Sequence, residues 1–247
     1  MIQIRGLEKR LGTKQVLDGL DLDVTTGETV VVIGRSGTGK SVLLKHILGL
    51  MTPDAGSIEI DGDEIVGMKE QDRDEVRKRF GMLFQGAALF DSLTVGENVG
   101  LALREHQHLG EREVRQRVAE RLEWVGLTGV EDMKPASLSG GMRKRVGLAR
   151  AIAMDPQFIL YDEPTTGLDP IMADVIDQLI RGLQKRLGVT TVVVTHDLVS
   201  AYKLADRIAM LHEGRVVFTG TVDETRNAKD PLVRQFVQGS SAGPIAV

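Results

Sequence analysis

At 247 residues, the chain can bury one large core or at most two small ones. A net charge of −4 argues against nucleic acid as the main partner. The absence of cysteine rules out a disulfide framework and thiol chemistry, which fits cytoplasmic surroundings. No run of about eighteen apolar residues predicts a bilayer-spanning helix. The start, Met1-Ile2-Gln3-Ile4-Arg5, lacks the charged and apolar regions of a signal peptide, so none is expected.

Residues 1 to about 30 alternate apolar and polar, with Ile2, Ile4, Leu20, Leu22 and Val24 on one period. They predict antiparallel strands with turns at Gly12-Thr13 and Thr26-Gly27. Thr29-Val30-Val31-Val32-Ile33 follows as a continuous β-branched strand. Next comes Gly34-Arg35-Ser36-Gly37-Thr38-Gly39-Lys40-Ser41, then a helical pattern from Val42-Leu43-Leu44 through Ile47, Leu48 and Leu50. Strand, glycine-rich loop and helix are the context that makes this a phosphate-binding loop. The glycines let main-chain N–H groups turn inward onto phosphate oxygens, and the helix start adds its positive dipole end. Lys40 can then reach the β- and γ-phosphates of a nucleotide, and the Ser41 hydroxyl can serve Mg²⁺. Arg35, Ser36, Thr38 and Val42 belong to the same nucleotide-binding stretch.

Ser57-Ile58-Glu59-Ile60 before Asp61-Gly62 predicts a further hairpin, and Asp72 to Arg79 a short surface helix. The basic runs Arg77-Lys78-Arg79 and Arg143-Lys144-Arg145 read as solvated helix faces. From Gly86 to about Pro156 the pattern is helical. Val114, Val118, Leu122 and Val125 share one face, with Trp124 beside them as a packing residue. Leu138-Ser139-Gly140-Gly141-Met142 opens another helix. Its hydroxyl and uncovered N–H groups suit an anion, although a serine-capped helix start alone would look the same. Phe158-Ile159-Leu160-Tyr161 is a buried strand ending in Asp162-Glu163. Beside a phosphate loop, Asp162 suits Mg²⁺ and Glu163 suits polarising the attacking water. A helix around Ile171–Leu187, a strand Thr190–Thr195 and a helix around Leu198–Ala205 complete the alternation that predicts a parallel sheet. Of the five histidines, His46, His106, His108 and His212 read as structural or surface groups, while His196 stands at a strand end. Asp230-Pro231 starts a last helix with an apolar stripe of Leu232, Val233, Phe236 and Val237, stopped by Gly239. Ser240 to Val247 is open between a disordered segment and a clasp on a second subunit. No internal repeat and no low-complexity linker interrupts this order.

The phosphate loop, Gln85, Leu138-Ser139-Gly140-Gly141, Asp162-Glu163, Gly167-Leu168-Asp169 and His196 stand in an order and spacing that resembles ATPase subunits of ABC transporters across nearly the whole chain. The resemblance implies a RecA-like α/β P-loop core with an antiparallel β subdomain and an inserted α-helical subdomain. The ATPase domain would span residues 1–220, with the helical insert at about 86–155, and a C-terminal helix and tail would span 221–247. It implies a homodimer in which Ser139, Gly140, Gly141 and Met142 of one copy face ATP on the other. It also implies Gln85 on Mg²⁺ and water, Asp169 across the dimer and His196 on the γ-phosphate. A motor of this kind needs separate integral-membrane permease subunits, and would sit in the cytoplasm, peripheral on the inner face of the cell membrane.

The segment Phe84-Gln85-Gly86-Ala87-Ala88-Leu89-Phe90-Asp91-Ser92-Leu93-Thr94-Val95, the signature ending in Met142 and the tail through Gly243-Pro244-Ile245 look like the Mla/MCE-type phospholipid transport ATPases, the MlaF-like branch. That likeness implies an MCE-domain lipid-binding protein as a partner, and leaves room for a small regulatory subunit. Ala87–Val95 is apolar enough to hold a permease helix, or to be ordinary core. The alternative is an importer of small polar solutes; the regulatory domain that some of those carry does not fit after Gly220. A soluble ABC ATPase acting on nucleic acid or ribosomes would need a coiled-coil arm or two ATPase halves, and neither is present. A GTPase switch would need an Asn-Lys-x-Asp reader, but the asparagines are Asn98 and Asn227.

Two residues depart from the common ABC pattern. Met142 stands where glutamine is usual, and a thioether cannot replace an amide's hydrogen bonds. Leu11 stands where an aromatic ring usually stacks on adenine, and no Phe, Tyr or Trp precedes Phe80. Aliphatic contact retains apolar burial without ring stacking. Base discrimination is therefore expected to be weak, with GTP hydrolysed appreciably. An ATP preference of about a hundredfold or more in kcat/KM, equivalent to roughly 2.7 kcal/mol, would overturn this expectation.

Overall fold

The computed structural model describes residues 1–107 and 109–245; His108, Ala246 and Val247 lie outside the described residues. In chain order the elements are β1 (Ile2–Leu11), β2 (Lys14–Val24), β3 (Thr29–Ile33), α1 (Lys40–Ile47), β4 (Ala55–Ile60), β5 (Asp63–Glu64), α2 (Glu70–Arg77) and β6 (Phe80–Leu83). They continue with α3 (Val95–His106), α4 (Glu111–Trp124), a 3₁₀ turn at Pro135–Ser137, α5 (Gly140–Ala151), β7 (Phe158–Asp162), α6 (Pro170–Leu187), β8 (Thr190–Thr195) and α7 (Leu198–Leu204). The last are β9 (Arg207–His212), β10 (Arg215–Gly220), α8 (Val222–Arg226) and α9 (Pro231–Gln238). Two compact units result: Met1–Arg77 with Thr190–Val247, and Lys78–Val189.

The first unit holds two sheets. In one, ordered β2-β1-β4-β5, β1 is antiparallel to both β2 and β4, with Ile4 opposite Leu22 and Ile58. The alternation read from the sequence puts Ile2, Ile4, Leu7, Leu20, Leu22 and Val24 inside. Gly56 has a φ of +93°, and a Cβ there would stand 2.4 Å from the Gly6 carbonyl oxygen, so only glycine permits that approach. In the other sheet, β3 lies parallel between β8 and β9, and β10 runs antiparallel on the outer side of β9. Every residue of β3 and β8 is buried, which is why both read as continuous runs rather than alternations. The β9–β10 hairpin and α8 went unread in the sequence. The hairpin's signal was Glu213-Gly214, whose φ values of +47° and +78° make the tight turn between two apolar runs, and that of α8 was the Thr221 and Glu224 capping box.

The second unit contains the parallel pair β6 and β7, helices α3 to α5 and the long α6. Val114, Val118, Leu122 and Val125 are buried as their spacing predicts. Trp124 is bracketed by the guanidinium groups of Arg121 at 3.9 Å and Arg186 at 3.6 Å from its ring centre.

Several local expectations are corrected. Helix α1 ends at Ile47 because Gly49 turns left-handed, and this leaves Leu50 exposed rather than on the apolar face. The charged helix runs Glu70–Arg77, two residues earlier than predicted, since the Arg79 carbonyl already accepts from the amides of Gln157 and Phe158. Nor is Arg77 merely solvated: it donates to the Leu48 and Gly49 carbonyls at the end of α1, at 3.1 and 2.8 Å. His46 is buried, with Nδ1 2.7 Å from the Val42 carbonyl, and burial lowers its pKa.

The chain end adds a buried amide that the pattern did not announce. In α9 the buried residues are Val233 and Gln235, while Leu232, Phe236 and Val237 are half-covered. The Gln235 amide accepts from the Ile245 amide at 2.6 Å and donates to the Ile245 carbonyl at 3.1 Å. Residues 240–245 therefore fold back on their own helix rather than lying disordered. Gln235→Ala would strip both bonds from Ile245 and is expected to cost about 1–3 kcal/mol. Limited proteolysis should then cut within 240–245 faster than in the parent protein; an unchanged cleavage pattern would contradict this account.

Candidate functional site

In the first unit, β3 delivers the glycine-rich loop to the end of a buried strand. A Cβ on Gly34 would stand 2.5 Å from the Leu211 carbonyl oxygen, and one on Gly39 would stand 2.9 Å from that of Val16. Gly37 and Gly39 have φ values of +78° and +104°, which bend the loop so that α1 starts at Lys40 with no side-chain cap. Thr38 donates from its hydroxyl to the Arg35 carbonyl at 2.9 Å and tightens the turn. The Lys40 side chain is 6 % exposed, and its ammonium donates to the carbonyls of Gly34 at 2.8 Å and Arg35 at 3.0 Å. A cation is thus stored over the loop, within reach of an anion held there.

Beside the loop lies a cavity of about 370 Å³, lined among others by Arg35, Ser36, Gly37 and Thr38 and by Lys14, a cation that the sequence reading did not single out. Lys14 donates to the Gly37 carbonyl at 3.2 Å. Leu11, three residues before Lys14, is 42 % exposed. Strand β8 pairs with β3 so that Thr195 lies opposite Ile33, and the next residues, His196 and Gly34, leave the sheet at one level. His196 is exposed, in a turn set by Asp197, whose amide donates to the Thr195 hydroxyl at 3.0 Å and whose carboxylate caps α7.

The second unit repeats this plan with different chemistry. Leu83 of β6 lies opposite Tyr161 of β7, so Gln85 and the pair Asp162-Glu163 emerge from the same edge of that pair. Asp162 and Glu163 are 9 % and 8 % exposed, Gln85 is exposed, and the Thr166 hydroxyl donates to the Glu163 carboxylate at 3.2 Å. Glu163 has a φ of +48°, a left-handed conformation that costs a residue with a side chain about 1–3 kcal/mol. Ser139 caps α5, its hydroxyl accepting from the Met142 amide at 3.2 Å, and Ser139 and Gly140 are exposed. Gly141 is covered by the Met172 methyl, which would stand 2.5 Å from a Cβ there. Asp169 caps α6 by accepting from the amides of Ile171 and Met172 at 3.0 and 3.1 Å.

Lys144 departs most from its sequence reading. It is buried, not solvated, and its ammonium donates to the carbonyls of Gln85 and of Glu163, the latter at 3.2 Å. Burial pulls its pKa down, against the pull of the Asp162 and Glu163 carboxylates, which favours the charged form.

A family model described as ABC transporter matches residues 17–166, which include the loop, the signature and the carboxylate pair. The chain belongs to the ABC transporter family. Across 99% of its length this ABC ATPase is 42% identical to the intermembrane phospholipid transport system ATP-binding protein MlaF of Haemophilus influenzae, covering 93% of it. It is equally identical, over 100% of its length and 71% of the relative, to the probable ribonucleotide transport ATP-binding protein mkl of Mycobacterium leprae. Among solved structures it resembles a dimeric ATP-binding cassette in a post-hydrolysis state bound to ADP and Pi, with a TM-score of 0.83 and 33% identity, covering 90% of this chain and 99% of that one. The α/β architecture is that of the ABC ATPase fold, and the activity is ATP hydrolysis. Lys40→Ala would remove the cation stored over the loop. It is expected to abolish tight ATP binding, a loss of about a hundredfold or more in Kd, roughly 2.7 kcal/mol, read by titration with a fluorescent ATP analogue. An affinity within threefold of the parent protein's would remove Lys40 from the site.

Proposed function

We propose that this ABC ATPase is the motor of a phospholipid transporter that works with an MCE-domain protein. The observation that carries the reading is its likeness, over nearly the full length of both chains, to MlaF proteins of two bacteria. A plant relative whose name contains a lipid, protein trigalactosyldiacylglycerol 3 of Arabidopsis thaliana, supports it at 41% identity. The mkl likeness favours a second reading, an importer of small polar solutes, and the chain covers a smaller share of that relative. Among the described residues no helix is long and apolar enough to cross a membrane. The reading therefore requires separate permease subunits, with the ATPase peripheral on the cytoplasmic face of the inner membrane. Phe84 and Phe90, exposed on either side of Gln85 to Leu89, suit an apolar permease surface. Asn98 stiffens that segment: its amide accepts from the Phe90 amide at 2.8 Å and donates to the Phe90, Leu93 and Thr94 carbonyls. A small regulatory subunit is a further candidate partner, and nucleic acid is not one.

Each residue then has a part to play. Main-chain N–H groups from Gly34 to Ser41, with Val42 behind them, cradle the phosphates of ATP, while Lys40 binds the outer two and Leu11 meets the base. Ser41, Gln85 and Asp162 suit Mg²⁺, which takes few protein ligands beside phosphate oxygens. Among the described residues no cluster of three carboxylate, histidine or cysteine side chains competes for that role. Bound there, the ion would neutralise charge on the phosphates. Glu163 orients and polarises the attacking water, with Gln85 beside it, and His196 donates to the γ-phosphate. A second copy of the chain supplies Ser139, Gly140 and Gly141, and Asp169 contacts across that dimer. Met142 adds no polar bond.

Glu163→Gln keeps the shape and removes the base. It is expected to bind ATP as a stable dimer and hydrolyse it at least about a hundredfold more slowly, a barrier increase of roughly 2.7 kcal/mol. Captured from detergent-solubilised membranes of its own cell, this variant should bring a permease, an MCE-domain protein and phospholipid, identified by mass spectrometry. A permease with a small-solute binding protein, and no MCE-domain protein, would replace the lipid reading with the importer.

A further inference from the structure

Helix α5 begins at the signature serine, yet its cations reach back to two other segments. Lys144, in its first turns, bonds the main-chain carbonyls of Gln85 and Glu163. Arg150, in its last turn, donates to the carbonyls of Ala88 at 2.6 Å and Ala87 at 2.7 Å. Between them, Gly147 brings the helix so close that a Cβ would stand 2.6 Å from the Leu83 side chain and 3.3 Å from that of Ala87. The carbonyls held this way belong to a strained main chain. Ala87, Ala88 and Glu163 have φ values of +62°, +46° and +48°, conformations that residues with a Cβ adopt only when their surroundings impose them. Main-chain direction at Glu163 sets where its carboxylate points, and main-chain direction at Gln85 and Ala87 sets where the Gln85 amide points.

We infer that Lys144 is a positioning residue for hydrolysis: its buried ammonium ties Gln85 and Glu163 to the helix that starts at Ser139. An ammonium has three donors and no acceptor, so it can hold two carbonyls at once without becoming a competing base. Its burial denies the two carbonyls water as a substitute donor. Movement of Ser139 is thereby transmitted to the water-orienting groups of the same chain. The ATP that Ser139 of one copy contacts on the other would reset Gln85 and Glu163 of the first, so that the two half-sites sense one another. Arg150 serves the same segment from the far end of the helix.

The inference rests on the roles proposed above for Gln85 and Glu163, and its test separates the two. Lys144→Met keeps the apolar stem and removes every donor, whereas Lys144→Gln keeps two N–H donors without the charge. On the full chain, kcat and KM for ATP, Kd for a fluorescent ATP analogue and Tm are measured for both, beside Glu163→Gln. Lys144→Met is expected to lower kcat at least about tenfold, with KM and Kd within about threefold of the parent. Lys144→Gln is expected to recover kcat to within about threefold of the parent. If Lys144→Met does not fold, Lys144→Leu, which also fills the site without a donor, replaces it with the same expectation and the same overturning results. Near-normal kcat in Lys144→Met with an inactive Glu163→Gln would overturn the positioning role and leave the site reading standing. Affinity and Tm falling in proportion to kcat, or equal losses in the methionine and glutamine variants, would reduce Lys144 to a packing or charge role. Normal hydrolysis by Glu163→Gln would overturn the site reading itself.

Discussion

Parallel register between buried strands is the constraint on which the chemistry of this chain depends. Ile33 lies opposite Thr195, and Leu83 lies opposite Tyr161. Gly34 and His196 follow the first pair, and Gln85 and Asp162-Glu163 follow within two residues of the second, so within each pair these groups leave the strands at a common level. A slip of one residue would turn every side chain of a strand to the other face, and because both faces of β3 and β8 are buried it would force the packing on both to be rebuilt. The cores that hold the strands therefore also aim the phosphate loop, His196, Gln85 and the carboxylate pair.

What was legible in the sequence is what main-chain conformation demands locally. Glycines at 34, 37 and 39 announce a loop that only glycine can follow, and each is explained by a close approach or a positive φ. Ser139 and Asp230 announced helix starts because a cap is a contact three residues long. Lys144 and Gln235 were not legible, since a long polar side chain at a buried position looks the same in sequence as one in solvent. Only tertiary structure supplies the Gln85 and Glu163 carbonyls for the first and Ile245 for the second. Leu50 failed the other way: its apolar period continued past Gly49, where the helix it implied had already stopped.

Left-handed residues with side chains mark where the fold departs from its local preferences. Ala87 and Ala88 follow Gln85 closely, Glu163 follows Asp162, and cations of α5 hold the carbonyls of all three left-handed residues. Asp61 and Glu213, also left-handed, sit instead in hairpin turns followed by glycine, where no further support is needed. The distinction is physical: a turn residue can relax with its loop, whereas Glu163 continues a buried strand and must be held.

The two helix starts proposed to bind ATP differ in what binding would require of them. The Ser139 hydroxyl already accepts a bond from the Met142 amide, yet a hydroxyl has a proton to donate as well. A phosphate oxygen can accept a hydrogen bond from that hydroxyl while the cap stays intact, so α5 need not rearrange its first turn. Lys40, in contrast, bonds the Gly34 and Arg35 carbonyls of its own loop, and reaching a phosphate means leaving or sharing them. Charge-assisted bonds to phosphate are stronger than bonds to carbonyls, so the exchange favours the nucleotide. On the proposed roles, Lys40 would exchange its loop carbonyls for ATP, while the signature start would keep the geometry it has. Such a pairing suits a device in which one half-site captures the nucleotide first and the other, supplied by a second copy, closes onto it without reorganising.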